Sequence, residues 1–583
     1  MSAQRLVTEH IDLWTSAIKA KATQGRGSSK KRELYGIKKL RELILELAVR
    51  GKLVPQDPND EPASVLLKRI AVEKAQLVKE KKIKKQKALP PISDDDVVEG
   101  IPAGWIWTRL GEIAEIGPRN SGTTDDTKVS FVPMPLISKS YKGDHGSEDR
   151  TWSEIKKGYT HFADGDIAVA KITPCFENSK AAIFRGLKNG VGAGTTELHV
   201  ARPIGNTLDR LYILLYLKAP QFLIIGETKM TGTAGQKRVP TDFFAGNPLP
   251  LPPLPEQHRI VAKVDELMAL CDQLEQQTEA SIDAHATLVE TLLATLTQSA
   301  DAADLEQNWT RIADHFDTLF TTDHSIDQLK QCVLQLAVMG KLVPQDPNDE
   351  PAAVLLRRIA SERDRLVKEE KLKTKANLEI TDTEKYLNVP EEWGHIRLGN
   401  LAKFIDYRGK TPTKLSEGIR LITAKNVRFG HISLQPEEFI SEDEYKAWMT
   451  RGFPKVGDLL FTPEAPLGNI AIIDITEKFA LAQRAICFQL HEPACATFLK
   501  IFIMSLPFQE QLILNATGMT ATGIKASKLK EIPVPLPSLD EQHRIVAKVD
   551  QLMTLCDQLK ARLQQAQQTQ LHLTDVVVEQ AVG

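Results

Sequence analysis

Apolar positions along this chain keep a helical period in some stretches and a heptad period in others, and both patterns occur twice. Ile37, Leu40, Ile44 and Leu47 recur at helical spacing, and Gly51 stands where a left-handed C-cap ends such a helix. The run KLVPQDPNDEP follows, and its three prolines and Asp/Asn/Asp cluster disfavour any regular element. Asp60 is then the predicted N-cap of a second helix, with Pro62 near its first turn and Val65, Leu66, Ile70 and Leu77 along it. The series returns from Leu334 through Lys371.

The heptad pattern is longer. Ile545, Val549, Leu552, Cys556, Leu559, Leu563, Ala566, Leu573 and Val577 fall on alternating steps of four and three, with only Gln570 interrupting. An earlier copy runs through Ile260, Val264, Leu267, Cys271 and Leu274, weakens at Thr278 and Ser281, and recovers at Leu288 and Leu292. Two helices of about 40 residues, each about 60 Å long, are predicted. The near-identical seams favour packing of one on the other; two unrelated core helices are the alternative.

Between these helices lie two segments, Gly100–Pro250 and Val389–Pro537, that barely resemble each other. Both open alike, IPAGWIWTRLGEIAEI at Ile101 and VPEEWGHIRLGNLAKFI at Val389, and both carry an apolar strand after Gly-Asp, at Gly165 and Gly457. Short β-branched runs mixed with helical ones predict an α/β or α+β domain. Each segment leaves through prolines (NPLPLPPLPEQ, EIPVPLPSLDEQ), which are expected to stop regular structure and stiffen the junction. LYILLYLKAPQFLIIG, from Leu211, is broken by Lys218 and Pro220 and reads as buried helix rather than membrane span.

Exact repeats tie these pieces into a duplication. EQHRIVAKVD occurs at Glu256–Asp265 and Glu541–Asp550, and GKLVPQDPNDEP at Gly51–Pro62 and Gly340–Pro351. The expected fold is therefore α+β (mixed α/β): two variable domains separated by long antiparallel coiled-coil helices, the tandem duplication giving a pseudo-twofold. The expected division is a helical region at 1–99, the first variable domain at 100–254, a central helical region at 255–387, the second variable domain at 388–537, and a closing helix at 538–583.

Composition adds constraints. The 583 residues carry 74 basic and 76 acidic side chains, for a net charge of −2, which excludes a polybasic coat but not local basic faces. Cys175, Cys271, Cys332, Cys487, Cys495 and Cys556 form no C-x-x-C pair and no zinc spacing, and no signal peptide opens the chain, so a cytoplasmic protein of a bacterium or archaeon is expected, with no metal and no membrane. No phosphate loop is present; GMTATGIKAS at Gly518 lacks the adjacent lysine and hydroxyl. No G-x-G-x-x-G follows a strand, and neither H-E-x-x-H nor G-x-S-x-G occurs. His258 and His543 belong to the repeated scaffold and read as solvated or capping. The expectation is a chain without catalytic residues.

Repeat order, proline exits into EQHRIVAKVD and long intervening helices together resemble the specificity subunit of a type I DNA restriction–modification system. The resemblance covers essentially the whole chain and is carried most specifically by PLPPLPEQHRIVAKVDELM and PLPSLDEQHRIVAKVDQLM; the openings near Trp105 and Trp393 and GDIAVAKITPCFENSKAAI fit its target-recognition domains. It implies that each variable segment reads one half of a split double-stranded DNA target. It implies that the helices set the spacer and dock two methyltransferase subunits, which recruit restriction/translocase subunits. S-adenosylmethionine, ATP and magnesium would then belong to those partners, and this chain would bind no cofactor. Two unlike domains on a fused duplication imply an asymmetric, bipartite target, its halves about one helical turn (about 34 Å) apart. The competing readings are a coiled-coil assembly scaffold with two protein-binding domains, and a stand-alone nuclease or methyltransferase.

The residue types suited to phosphate and base contacts cluster in a few loops. In the first domain these are Lys139, Lys142, Lys171, Thr173, Asn178, Lys180, Thr195, Thr196, Lys237 and Arg238. In the second they are Arg408, Lys410, Thr411, Lys414, Lys425, Asn426, Arg428, Gln483, Arg484, Thr520, Lys525 and Lys528. Singly, each also reads as an ordinary solvated loop residue. KEKKIKKQK, from Lys79, reads as a solvated helix end, with phosphate or partner contact as its second reading. Many members of the family begin almost directly with the first variable domain, so the full helical pair here implies a particular subclass. Residues 1–32 are expected to be flexible and to order in the assembly.

Overall fold

The computed structural model describes residues 3–20, 32–86, 89–93, 97, 100–233, 235–369, 379–407, 412–482, 484–518 and 522–583. It divides into two compact units, Met1–Ser281 with Ala566–Gly583, and Ile282–Gln565. Each long helix changes unit part-way.

In the first unit a helix at Tyr35–Val49 buries Ile37, Leu40, Ile44 and Leu47 as its periodicity requires. It ends at Gly51, whose φ of +68° is the left-handed conformation anticipated there. The next helix, Ala63–Lys79, has Pro62 rather than Asp60 at its N-cap position, with no side-chain cap. Its buried face is Ala63, Leu66 and Ile70, while Val65 is exposed. The second unit repeats both helices at Asp323–Val338 and Ala352–Glu369. Part of the leading segment is ordered, against expectation: short helices at Ala3–Glu9 and Ile11–Ser16 bury Trp14 completely, and a small antiparallel pairing joins Lys19–Ala20 to Arg32–Glu33. QGRGSSK lies outside the described residues.

The two variable domains share most of one strand plan despite unlike sequence, the second lacking, among the described residues, a counterpart of the strand Thr160–Ala163. In the first, one sheet orders Glu148–Thr151, Lys128–Val132, Val191–Gly194 and Thr160–Ala163, and another orders Ala114–Ile116, Leu198–Pro203, Ile167–Ala170 and Ala181–Ile183. In the second, Ala402–Asp406, Ile486–Leu490, Leu459–Phe461 and Ile470–Ile472 form one sheet, and Phe439–Ile440, Ile419–Ile422 and Phe479–Leu481 the other. One parallel pair stands at the same place in each, Gly192–Gly194 beside Ser130–Val132 and Arg420–Ile422 beside Phe479–Leu481.

The proline exits are strands, which corrects the expectation that they halt regular structure. Pro248–Leu251 pairs antiparallel with Ile106–Arg109, and Pro533–Leu536 with Gly394–Arg397. A two-stranded pairing tolerates alternate prolines, because only every second residue must donate across it. Leu249 and Leu251, or Val534 and Leu536, are fully buried between them. Each domain therefore leaves its scaffold and returns to it side by side.

The long helices span Leu254–Gln298 and Leu539–Val582. Their inward lines begin as the heptads demand, through the buried Ile260, Val264, Leu267, Cys271 and Leu274, and through the buried Ile545, Val549 and Cys556 with the half-buried Leu552, Leu559 and Leu563. Both then take two four-residue steps in succession, Leu274–Thr278–Ile282 and Leu559–Leu563–Gln567. Beyond them the lines continue through His285, Val289, Leu292 and Leu296, and through Gln570, Thr574, Val577 and Ala581. Predicted seam members Ser281, Leu288, Ala566 and Leu573 are consequently exposed. Such a stutter relaxes the heptad toward the straight-helix period. It falls at equivalent places in the two copies, where each helix passes from one unit to the other.

Candidate nucleic-acid interface

The two repeated motifs meet in space, in each unit independently. Arg259 of EQHR donates to Asp60 of PNDE at 2.7 Å, and Arg544 to Asp349 at 2.7 Å. The glutamate of the same motif is buried: Glu256 accepts from Gln56 at 2.9 Å and Glu541 from Gln345 at 2.6 Å. The Trp393 indole donates to both Glu541 oxygens at 3.1 Å. The Trp105 indole faces Glu256 but stays outside hydrogen-bond geometry. Burial pushes both glutamates above the ordinary carboxylate range; the tryptophan and arginine neighbours oppose that shift in each, and Gln345 opposes it at Glu541. The Arg544 guanidinium holds Asp349 below it. Gln257 and Gln542 turn back onto the proline exit, each donating 3.0 Å to a proline carbonyl, Pro252 and Pro537. His258 and His543 are exposed, as expected of solvated positions.

The opening of each variable domain seats on the same clasp. A side chain at Gly51 would strike Pro102, and one at Gly340 would strike Pro390, so both glycines are required twice over, by contact and by φ. Lys52 donates 2.9 Å to the Val582 carbonyl at the end of the second long helix. Lys341, its repeat partner, donates 3.0 Å to Thr297 at the end of the first. A lysine at these free carbonyls satisfies acceptors the helix leaves unpaired and suits its negative pole.

Ten candidate residues of the first domain gather into two groups. Lys171, Thr173, Thr195, Thr196, Lys237 and Arg238 lie where three backbone segments interlock: Lys171 N–H donates to Glu197 O at 2.9 Å, Thr173 to Lys237 at 3.0 Å and Val239 to Lys171 at 2.8 Å. Arg238 makes a two-point pair with Glu197 at 2.9 and 2.8 Å, so its charge is already matched. The second group is Lys139, Lys142, Asn178 and Lys180, on two facing loops joined by Lys139 Nζ donating to Asn178 at 3.1 Å. Lys180 donates to the Met134 carbonyl at 2.8 Å, and Lys142 lies over the Tyr141 ring.

The second domain repeats the interlock with other chemistry. Glu464 and Thr517 each bridge Gly523, and Ile524 N–H donates to Pro463 at 2.9 Å. Here the turn supplies the cation: Arg484 pairs with Glu464 at 3.1 Å, whereas the corresponding turn of the first domain supplies the anion Glu197; the partners differ in place, Glu464 standing where the first domain has Ile172 and Arg238 where the second has Gly523. Lys525 and Lys528 are exposed beside it, Lys528 pairing with Glu531 at 3.1 Å. Lys414 pairs with Glu438 at 2.8 Å. Lys425 and Arg428 are exposed on a hairpin with Phe429 and His431 at its tip. Asn426 does not share their exposure. It is buried, accepts from the Thr423 amide and hydroxyl at 2.9 and 2.8 Å, and donates to Ser433 and Pro436 at 2.9 and 3.1 Å. Its amide is consumed in holding the hairpin, which removes it from the surface that could touch a base. Arg408, Lys410, Thr411, Gln483 and Thr520 lie outside the described residues.

Residues 102–284 and 390–568 each match the family model of the Type I restriction modification DNA specificity domain. The chain belongs to the type I restriction specificity subunits. It is 51% identical over 596 residues to the specificity subunit of the type I restriction enzyme EcoAI of Escherichia coli, covering 100% of both chains. It is 49% identical over 605 residues to that of EcoEI from the same organism, again over 100% of each. Among solved structures, the HsdS subunit from Thermoanaerobacter tengcongensis is similar at 19% identity and a TM-score of 0.41, over 82% of this chain and 97% of that one.

As a specificity subunit the chain is the non-catalytic component of its system, with two DNA specificity domains in tandem. Among the described residues no helix is long and apolar enough to cross a membrane, and no group of three or more His, Cys, Asp or Glu side chains could hold a metal. The clasp is absent from the expectations drawn from sequence. The signal was available, since the one strongly basic residue of EQHR and the acidic cluster of PNDE are both repeated without change.

Proposed function

We propose that the first domain reads one half of an asymmetric bipartite DNA target and the second domain the other. The observation that carries this reading is the pairing of identical clasps with unlike loops. Glu256, Arg259 and Asp60 recur in kind and geometry as Glu541, Arg544 and Asp349, whereas the turn contributes an anion, Glu197, to its ion pair in one domain and a cation, Arg484, in the other, with partners on different segments. Identical parts hold geometry; unlike parts discriminate. Lys139, Lys142, Lys171, Lys180 and Lys237 in the first domain, and Lys425, Arg428, Arg484, Lys525 and Lys528 in the second, supply the positive side chains that phosphate and guanine contacts need.

In the same reading the long helices set the spacer and, with the clasps, dock two methyltransferase subunits that in turn bring restriction/translocase subunits. S-adenosylmethionine, ATP and magnesium then act in those partners, and this chain contributes sequence choice alone. The test is to map methylated adenines in cells carrying this subunit with its partners, then to replace Gly100–Pro250 with the corresponding segment of another specificity subunit. One half of the target should change and the other half and the spacer stay fixed. A change in both halves together would defeat the modular reading.

A further inference from the structure

Lys218 is the last residue of the helix Arg210–Lys218, and only 3% of it is exposed. Its amine donates 2.6 Å to the Ser179 carbonyl and lies 3.5 Å from that of Lys139. These carbonyls belong to the two facing loops that carry Lys139, Lys142, Asn178 and Lys180. Ser179 itself is left-handed, with φ of +55°, a conformation that a non-glycine residue holds only when its surroundings fix it. A lysine almost never sits so deep unless its donors are used.

The second domain has the same helix, Ala496–Met504, and its last residue is a methionine. Met504 fills the equivalent place by packing, its methyl carbon 3.1 Å from where a side chain on Gly430 would begin, beneath the Arg428–Phe429 hairpin. The two domains thus support their candidate loops from the same helix end, one with a hydrogen-bonding amine and the other with a flexible thioether.

Resting on the reading of the first domain as a half-target reader, we propose that Lys218 is a positioning residue for that half. Its amine locks the Lys139–Lys142 loop against the Asn178–Lys180 loop, so that the pair presents one fixed surface to DNA. Lys218 does not itself touch the duplex. Burial also lowers its pKa to about 7, opposed by Asp144, so it is only partly charged near neutrality, and its depth leaves it to act through geometry rather than as a phosphate ligand.

The test uses the full chain assembled with methyltransferase subunits and duplexes built on the methylation-mapped target, carrying single changes in the first or the second half. Lys218→Met should bind the intact target about tenfold more weakly. It should also lose discrimination against changes in the first half while keeping it in the second. Amide hydrogen exchange on the same variant should quicken in the Lys139–Lys142 and Asn178–Lys180 loops and stay unchanged in the strands Lys128–Val132 and Ile167–Ala170. Undiminished discrimination in the first half overturns the proposal. So does fast exchange spread through those strands, since the lysine would then be holding the core. If the unsubstituted complex discriminates at neither half, the half-target reading itself fails, whatever Lys218 does.

Discussion

The guanidinium of Arg544 lies 2.7 Å from the carboxylate of Asp349, joining a residue of one repeated motif to a residue of the other across nearly two hundred positions of chain. A second bond at 2.9 Å completes the fork, and Ser538 donates to the same carboxylate at 3.0 Å. In a double-mutant cycle, Arg544→Ala and Asp349→Ala should each lower stability and should not add, with a coupling of about 1 kcal/mol for this partly exposed pair. Urea unfolding measures it. Full additivity would show that the clasp contributes through packing alone.

The slipped seam sets a contrast between neighbours in sequence. Leu288 is 50% exposed and Val289 1%. Leu288→Ala should cost less than about 0.5 kcal/mol, and Val289→Ala about 1–3 kcal/mol, because only the second opens space in a packed core. The repeat position Leu573, 48% exposed, should be as tolerant as Leu288. A large loss at Leu288 would restore the uninterrupted heptad.

Asn426→Ala removes four hydrogen bonds from a buried amide and leaves the Thr423 amide and two carbonyls without partners. The loss should be about 2 kcal/mol, and the damage should reach recognition of the second half of the target only. Methylation of duplexes with changes confined to one half reads it directly.

Lys218 also makes a pH signature. Its folded pKa of about 7 lies below the unfolded value near 10.5, so between these the unfolded chain binds the extra proton. Stability therefore rises as pH climbs through the folded pKa. Between pH 7 and 9 the wild-type chain should gain on the order of 2 kcal/mol relative to Lys218→Met. Taking the difference between the two proteins cancels the contributions of cysteines and tyrosines common to both. Parallel curves would mean that the amine keeps its ordinary affinity for protons.

Much of this molecule was legible because its repeats are regular. The helical pairs, the glycine stops at Gly51 and Gly340 and the strands after Gly165 and Gly457 follow from local pattern. What escaped is non-local. Asp60 looks like a helix cap from its neighbours alone, and only the fold brings Arg259 to it. Prolines at 248 and 250 look like breakers until Ile106–Arg109 lies beside them. The seam slip was partly visible, since Ile282, Val289, Leu293 and Leu296 are as evenly spaced as Leu288 and Leu292, but periodicity cannot choose between two candidate faces. Asn426 has the right chemistry for reading adenine and the wrong depth, and depth is a property of the folded hairpin.

The strand pairing of Ile106–Arg109 with Pro248–Leu251, and of Gly394–Arg397 with Pro533–Leu536, has an evolutionary consequence. Because the two ends of each domain are adjacent and in register, a foreign domain with the same two end strands can be spliced in without altering the distance between its attachment points. On the half-target reading, exchange of one whole domain through recombination in the constant flanks changes one half of the target in a single step and leaves the attachment strands as they were.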